Sequence, residues 1–386
     1  MEARRVNRIG DACRVGLTRT SPTRRPHITG RRRLAFGCVF ILLICAATGC
    51  GGSSSAPPEP GTNSPAGGQP ATSQSNVASA WGAATHLDSS HGGEDVTSVS
   101  CPSANFCMAV LGSGYAAMYD GTRWSQPAGL SSSAGQPDSV SCPTASFCMA
   151  VDADDSSTFL FNGSTWSSAP CINDPVPSTQ KGMASVSCSS PSFCAAVDNG
   201  SNAFLFNGTS WSPATAMDPG NQLSTVSCPS ASFCAAVDYG PNVVTFNGTS
   251  WRKPSAIDPG GYLQAVSCAS ASFCVAIDRK GNAFTFNGGT WSAPVNADPN
   301  GLSMGEGGIS WPVVSCPTSN FCAAVDGSGG NVVTFDGSGW TAPVSIDSQA
   351  ANSVNGPVLI FLMSVSCHSA MFCVAGNSIG DAFVRS

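Results

Sequence analysis

The sequence predicts an all-β chain whose residues 77–386 form a seven-bladed β-propeller, four antiparallel strands to a blade. Three observations lead there. The motif VSC-x4-FC occurs seven times, with first cysteines at Cys101, Cys142, Cys188, Cys228, Cys268, Cys316 and Cys367. Their spacings of 41, 46, 40, 40, 48 and 51 sit near the period of about 40 residues that a four-stranded blade requires. A second signature, [YF]-[ND]-G-x2-W, occurs six times and ends at Trp124, Trp166, Trp211, Trp251, Trp291 and Trp340. The seventh copy stops at DAFVRS without its Trp strand, while Trp81-GAATHLD, near the start of the repeat region, matches Trp251-RKPSAID. The spare N-terminal strand is therefore expected to complete the last blade. That closes the ring and removes two raw sheet edges.

Residues 263–298 serve to justify each element in order. LQAVSC is short, apolar and β-branched, a strand; ASAS is a turn; FCVAID is a second strand; RKGN is a turn. AFTFN is a third strand, and the Asn-Gly that follows favours the left-handed dihedrals of a tight turn. TWSAPVNAD is a fourth strand whose Pro suits an edge. A helical solenoid needs 3.6-periodic runs of ten or more residues, and the repeat has none.

Residues 1–49 read as an export signal with an extended basic region, and Arg31, Arg32 and Arg33 precede the apolar run AFGCVFILLICAATGC. That run is short for a membrane span of about 20 residues. The long segment ahead of it suggests a functional start downstream of Met1. Ala47-Thr48-Gly49-Cys50 is similar to the lipobox of bacterial lipoproteins, with Ala47 where the family prefers Leu, and the resemblance implies lipidation of Cys50. Residues 50–76 are then the lipidation site and a Gly/Ser/Pro tether. As a flexible coil the tether reaches roughly 28 Å.

The cysteines of each repeat flank the first hairpin turn, so they face each other across two strands, within disulfide reach. Export places them in an oxidising compartment. Zinc would need four converging ligands, and a redox motif would need C-x-x-C. The expected pairs are Cys101–Cys107, Cys142–Cys148, Cys188–Cys194, Cys228–Cys234, Cys268–Cys274, Cys316–Cys322 and Cys367–Cys373, with reduced core thiols as the other reading. Cys171 is left over.

Charge narrows the partners. Of 17 bases and 23 acids, residues 1–49 hold 10 Arg and 2 acids, which leaves the remainder with 7 bases, 21 acids and a net charge of −14. That excludes a basic groove for nucleic acid. Gly301-Leu302-Ser303-Met304-Gly305 matches the nucleophile elbow in letters only, because no strand-to-helix turn surrounds it. His86 and His91 with Asp88, Glu94 and Asp95 carry the donor types of a divalent-ion site, but nothing in the sequence fixes their geometry, and the favoured reading is a solvated connection. No catalytic residue, metal or cofactor is expected. Asp152, Asp198, Asp238, Asp278 and Asp326 end second strands, and Asp174, Asp218, Asp258, Asp298 and Asp347 end fourth strands. Each suits Asx-turn chemistry. Together they mark one face of the ring. The three longest connections, near residues 171–182, 301–311 and 348–362, fall on the same face, and Trp311 lies in one of them. The first five Asp and Trp311 are the candidate ligand face.

On VSC-x4-FC and FNG-x2-W, residues 77–386 resemble the secreted β-propeller repeats of actinobacterial exported proteins and lipoproteins. The chain lacks the GH…WD pairing of WD40 repeats and the double Gly of kelch repeats. The expected function is a membrane-anchored, extracytoplasmic, monomeric module that binds or scaffolds a protein or glycan ligand. The rivals are a carbohydrate-active hydrolase or lyase at the propeller mouth, which would need a paired acid set, and a purely structural envelope protein.

Overall fold

The computed structural model describes residues 80–88, 95–131, 135–154, 156–172, 182–297, 312–326, 330–349 and 360–386. They form seven four-stranded antiparallel sheets, the predicted blades. Blade 1 comprises Val96–Ser103, Phe106–Leu111, Tyr115–Tyr119 and Ala128–Gly129. Blades 2 to 6 repeat that order, starting at Pro137, Met183, Leu223, Leu263 and Val313. Blade 7 takes three strands, Leu362–Ser369, Phe372–Asn377 and Asp381–Arg385, and borrows its fourth, Thr85–His86, from the N-terminal side.

The closure is made by backbone. Thr85 pairs with Ala382 and His86 with Asp381. Gly82 N donates to Val384 O at 2.8 Å, Leu87 N to Gly380 O at 2.8 Å, and Ser386 N to Ala80 O at 3.1 Å. Trp81 takes the outer-strand tryptophan's place and bridges Arg385, as Trp124 bridges Tyr119 in blade 1.

The core lies between blades. Each apolar cluster joins two neighbours, as where Phe147 and Met149 of blade 2 meet Val186, Ala196 and Phe204 of blade 3. Alanine-rich second strands such as FCAAVD keep the sheets close. Aromatic rings run between blades as a chain: Phe233 of blade 4 stacks on Phe286 of blade 5 at 6.1 Å, which meets Trp291 at 5.3 Å. At the closing blade the middle ring is replaced by Arg385, whose guanidinium sits 5.2 Å over Phe321.

The seven cysteine pairs are disulfides, with Cα–Cα distances from 3.9 to 4.2 Å. The sequence left Cys171 over; it too is disulfide-bonded in the structure.

The serine of VSC has a separate role. In every blade its hydroxyl accepts the backbone N–H of the next blade's first cysteine: Ser100 from Cys142, Ser141 from Cys188, Ser187 from Cys228, Ser227 from Cys268, Ser267 from Cys316 and Ser315 from Cys367, each at 2.9 Å. Ser366 accepts from Cys101 at 3.0 Å and closes the circle. Innermost strands expose a row of edge amides with no further strand to pair them, and this belt satisfies one per blade. A second tier runs from Ser98, Ser139, Ser185 and Thr225 to Val140, Val186, Val226 and Val266. It stops at the next two equivalent positions, Ala265 and Val313, which carry no hydroxyl. Ser227→Ala is expected to cost about 1–3 kcal/mol, because it strands a buried amide. A urea midpoint that falls at constant m would show this, and an unmoved midpoint would make the belt dispensable.

Candidate functional site

Strand order assigns the turns to two faces. Cysteine-pair turns and Asn-Gly turns share one, where they pack tightly. Gly248 has φ +91°, and a Cβ there would lie 3.2 Å from Ser232 Cα. The second-to-third-strand turns and the inter-blade connections share the other face.

On that second face the strand-end aspartates are structural. Asp152, Asp198, Asp238, Asp278 and Asp326 are at most 1% exposed. In blade 4, Asp238 Oδ1 accepts the N–H groups of Gly240 at 3.0 Å and Asn242 at 2.8 Å, while Asn242 Nδ2 donates to Oδ2 at 2.8 Å. Asp198 with Asn202, Asp278 with Asn282 and Asp326 with Asn331 build the same lock. Blade 7 exchanges the partners: Asn377 Oδ1 accepts from Asp381 N at 2.8 Å. Burial holds the Asp238 carboxyl above its ordinary range against the Asn242 bonds. The expectation that these five carboxylates face a ligand is thus corrected: a molecule arriving here meets the turns they fasten. Trp311 and most of the three long connections lie outside the described residues.

Side chains that break the repeat gather at this mouth instead. Four positions before each first cysteine the seven blades carry Thr97, Asp138, Ala184, Ser224, Gln264, Pro312 and Met363, no two alike, although V-S-C follows invariantly. The residue after the turn-locking Asp is equally varied, and in blades 4 and 5 it is Tyr239 and Arg279. Arg279 Nε donates to Gln264 Oε1 at 2.8 Å, and its guanidinium lies 5.7 Å from the ring centres of both Tyr239 and Tyr262. Tyr262, from the connection between those blades, is 56% exposed. The Tyr239 hydroxyl is pushed up by burial, against hydrogen bonding with Ser224 and Gln264. The Asp138 charge also reaches that phenol although Asp138 belongs to blade 2, two blades round the ring. These residues put a cation, two aromatic rings, an amide and a carboxylate in one neighbourhood.

Asp138 is open to water from the mouth yet surrounded by protein, and that desolvation pushes it up to about 6, with Asp152 and Asp154 adding repulsion. A carboxyl whose folded pKa exceeds its unfolded one of 3.8 binds more protons in the native state. Its protonation then stabilises the fold at low pH, and the contribution is lost as pH rises from about 4 through about 6. Asp138→Asn is expected to flatten that decline in a urea titration across this window; an identical slope would place the effect elsewhere.

Asp138, Tyr239, Tyr262 and Arg279 are legible in the sequence as departures from the repeat, whereas the regular aspartates are what every blade shares. Among the described residues, no group of three or more His, Cys, Asp or Glu is arranged to hold a metal ion.

No family model matches the chain, and no curated protein matches it. Solved structures do. The chain is similar to YCF48 bound to D1 peptide, with 14% identity, TM-score 0.58, and coverage of 79% of this chain and 96% of that one. It is similar to the WD40 β-propeller domain of Doa1, with 11% identity, TM-score 0.60, and 79% and 96% coverage. YCF48 from Cyanidioschyzon merolae matches at 14% identity, TM-score 0.54, with 79% and 98% coverage. At these identities the likeness shows the fold. The seven disulfides point to an oxidising, extracytoplasmic environment.

Proposed function

We propose that this chain is an exported lipoprotein, anchored through Cys50, whose propeller binds a protein or peptide at the mouth of blades 4 and 5. One observation carries the reading: in a ring otherwise built of near-copies, Tyr239, Tyr262, Gln264 and Arg279 break the repeat together and meet, with the Asp138 charge within reach. Binding needs asymmetry, and exposed aromatics beside an arginine are the usual anchors of protein interfaces. That a propeller of similar fold is known bound to a peptide supports the choice of ligand class. We assign binding rather than catalysis because the cluster of blades 4 and 5 offers a cation, two rings and an amide, the groups of a recognition surface. The test uses the mature chain from Cys50, offered as bait to exported proteins and to a glycan array. Tyr262→Ala with Arg279→Ala should abolish capture of a protein partner. Capture that survives the double variant, or glycan binding alone, would overturn the assignment. A fatty-acid probe should label the wild type, and Cys50→Ala should remove the label and the membrane retention.

A further inference from the structure

A second departure from the repeat lies on the outer wall, away from the mouth cluster. After the outer-strand tryptophan, four blades place a hydroxyl that accepts the third strand's N–H at 3.0 Å: Ser125 from Met118, Ser212 from Leu205, Ser292 from Thr285 and Thr341 from Thr334. Blade 2, where Ser167 Oγ donates to Leu160 O, and blade 7, where Gly82 follows Trp81, lack the bond, and blade 4 gives it up for charge. There Trp251 is followed by Arg252 and Lys253, both exposed, in a body with only 7 bases and a charge of −14. Neither has a carboxylate partner among the described residues.

The facing wall departs as well. In the other Asn-Gly and Asp-Gly turns the residue after Gly is Ser or Thr, and its hydroxyl bonds the turn's Asn or Asp, as Thr249 does to Asn247 at 2.8 Å and Thr209 to Asn207 at 2.9 Å. In blade 5 that residue is Gly289, where an added Cβ would meet only Asn287 Oδ1 at 3.7 Å. Both departures open onto one groove between blades 4 and 5, about 420 Å³ in volume, lined by Thr245, Arg252, Lys253, Phe286, Gly289 and Trp291 among others. A local rule broken twice, on both walls of one groove and with no structural return, is where function is expected.

We infer that this groove docks an extended acidic peptide that carries apolar side chains. The two cations complement its carboxylates. The outer segment of blade 4 is bonded inward, through Ser255 and Ala256, the Trp251–Phe246 bridge and Arg252 N to Thr245 O, and as the last strand of its sheet it leaves its outward edge to a peptide backbone. The aromatic floor of Phe286 and Trp291 takes an apolar side chain, which a lipid headgroup or a free anion would leave unused.

The experiment is fluorescence anisotropy on the mature chain with a labelled ten-residue peptide alternating Glu and Leu. A Lys–Leu peptide and vesicles with and without phosphatidylglycerol are run beside it. Three variants restore the repeat's own residues and so should fold: Arg252→Ser with Lys253→Ala, Gly289→Thr, and all three together. The acidic peptide is expected to bind, to weaken with salt, and to lose about tenfold in affinity in the Arg252/Lys253 variant. Gly289→Thr should weaken it with charge unchanged. Failure of the acidic peptide to bind, equal binding of the lysine peptide, or equal affinity in the repeat-restored variants would overturn the inference. So would dependence on Arg252 and Lys253 for vesicle binding alone. Mouth variants at Tyr262 and Arg279 should leave this binding intact, which separates its failure from that of the mouth site.

Discussion

Deleting residues 77–88 is expected to abolish the cooperative fold. The segment supplies the outer strand of blade 7, through the pairs Thr85–Ala382 and His86–Asp381 and the flanking bonds of Gly82, Leu87 and Ala80. Without it the Asp381–Arg385 strand becomes a raw edge. The loss in packing is larger still. Trp81, 9% exposed, belongs to the cluster of Phe321, Phe383 and Leu362 that joins blades 6 and 7. Truncation of a buried Trp costs about 3–5 kcal/mol, a large share of the roughly 5–15 kcal/mol that holds a domain together. Arg385 would suffer a second loss, since burial already disfavours its charge and its seat over Phe321 beside Trp81 would open to water. Trp81→Ala should therefore lower the melting temperature sharply, and the deletion should aggregate. A chain that starts at residue 90 and melts like the intact ring would show that blade 7 closes in some other way.

Reduction of the seven blade disulfides should have an effect of the same order. Each closes a loop of about seven residues, worth about 2 kcal/mol in the chain-entropy account. Propeller blades are bonded mainly to their neighbours, so the contributions accumulate to roughly 10–15 kcal/mol, comparable with the whole stability of a domain. In each blade the second cysteine is 0% exposed and the first at most 8%. Reductant should thus reach the sulfurs only through unfolding, so that a native sample resists it and a sample reduced in denaturant fails to refold. Circular dichroism after removal of denaturant, with and without reductant, reads this directly. Peptide mapping without reduction should return the seven bridges within blades, Cys228 with Cys234 among them. A reduced chain that regains the native spectrum would assign the stability to the inter-blade cores instead.

The sequence by itself determined whatever is local to one blade. The number of blades followed from VSC-x4-FC. The hairpin staples followed from two cysteines six positions apart, the turns from Asn-Gly and Asp, and the closure from a count of Trp strands. The staples and turns are signalled within a few residues, the range over which turn chemistry and strand alternation act, while the blade number and the closure come from counting those local units along the chain. Only the tertiary structure decided what happens between blades. The serine of VSC looks like a polar residue in a strand until Ser227 is found accepting from Cys268, 41 residues on. Arg385 looks like a charged tail until its guanidinium fills the place of a ring over Phe321. The aspartates misled because their regularity suggested a charged face, whereas regularity in a repeat marks what every blade needs to fold, and the carboxylates are buried in their own turns. The residues that differ, Tyr239, Tyr262 and Arg279 at the mouth and Arg252, Lys253 and Gly289 on the wall, come from separate repeats. Only packing blade 4 against blade 5 brings them together, because side chains about 40 residues apart meet only once the ring has curved.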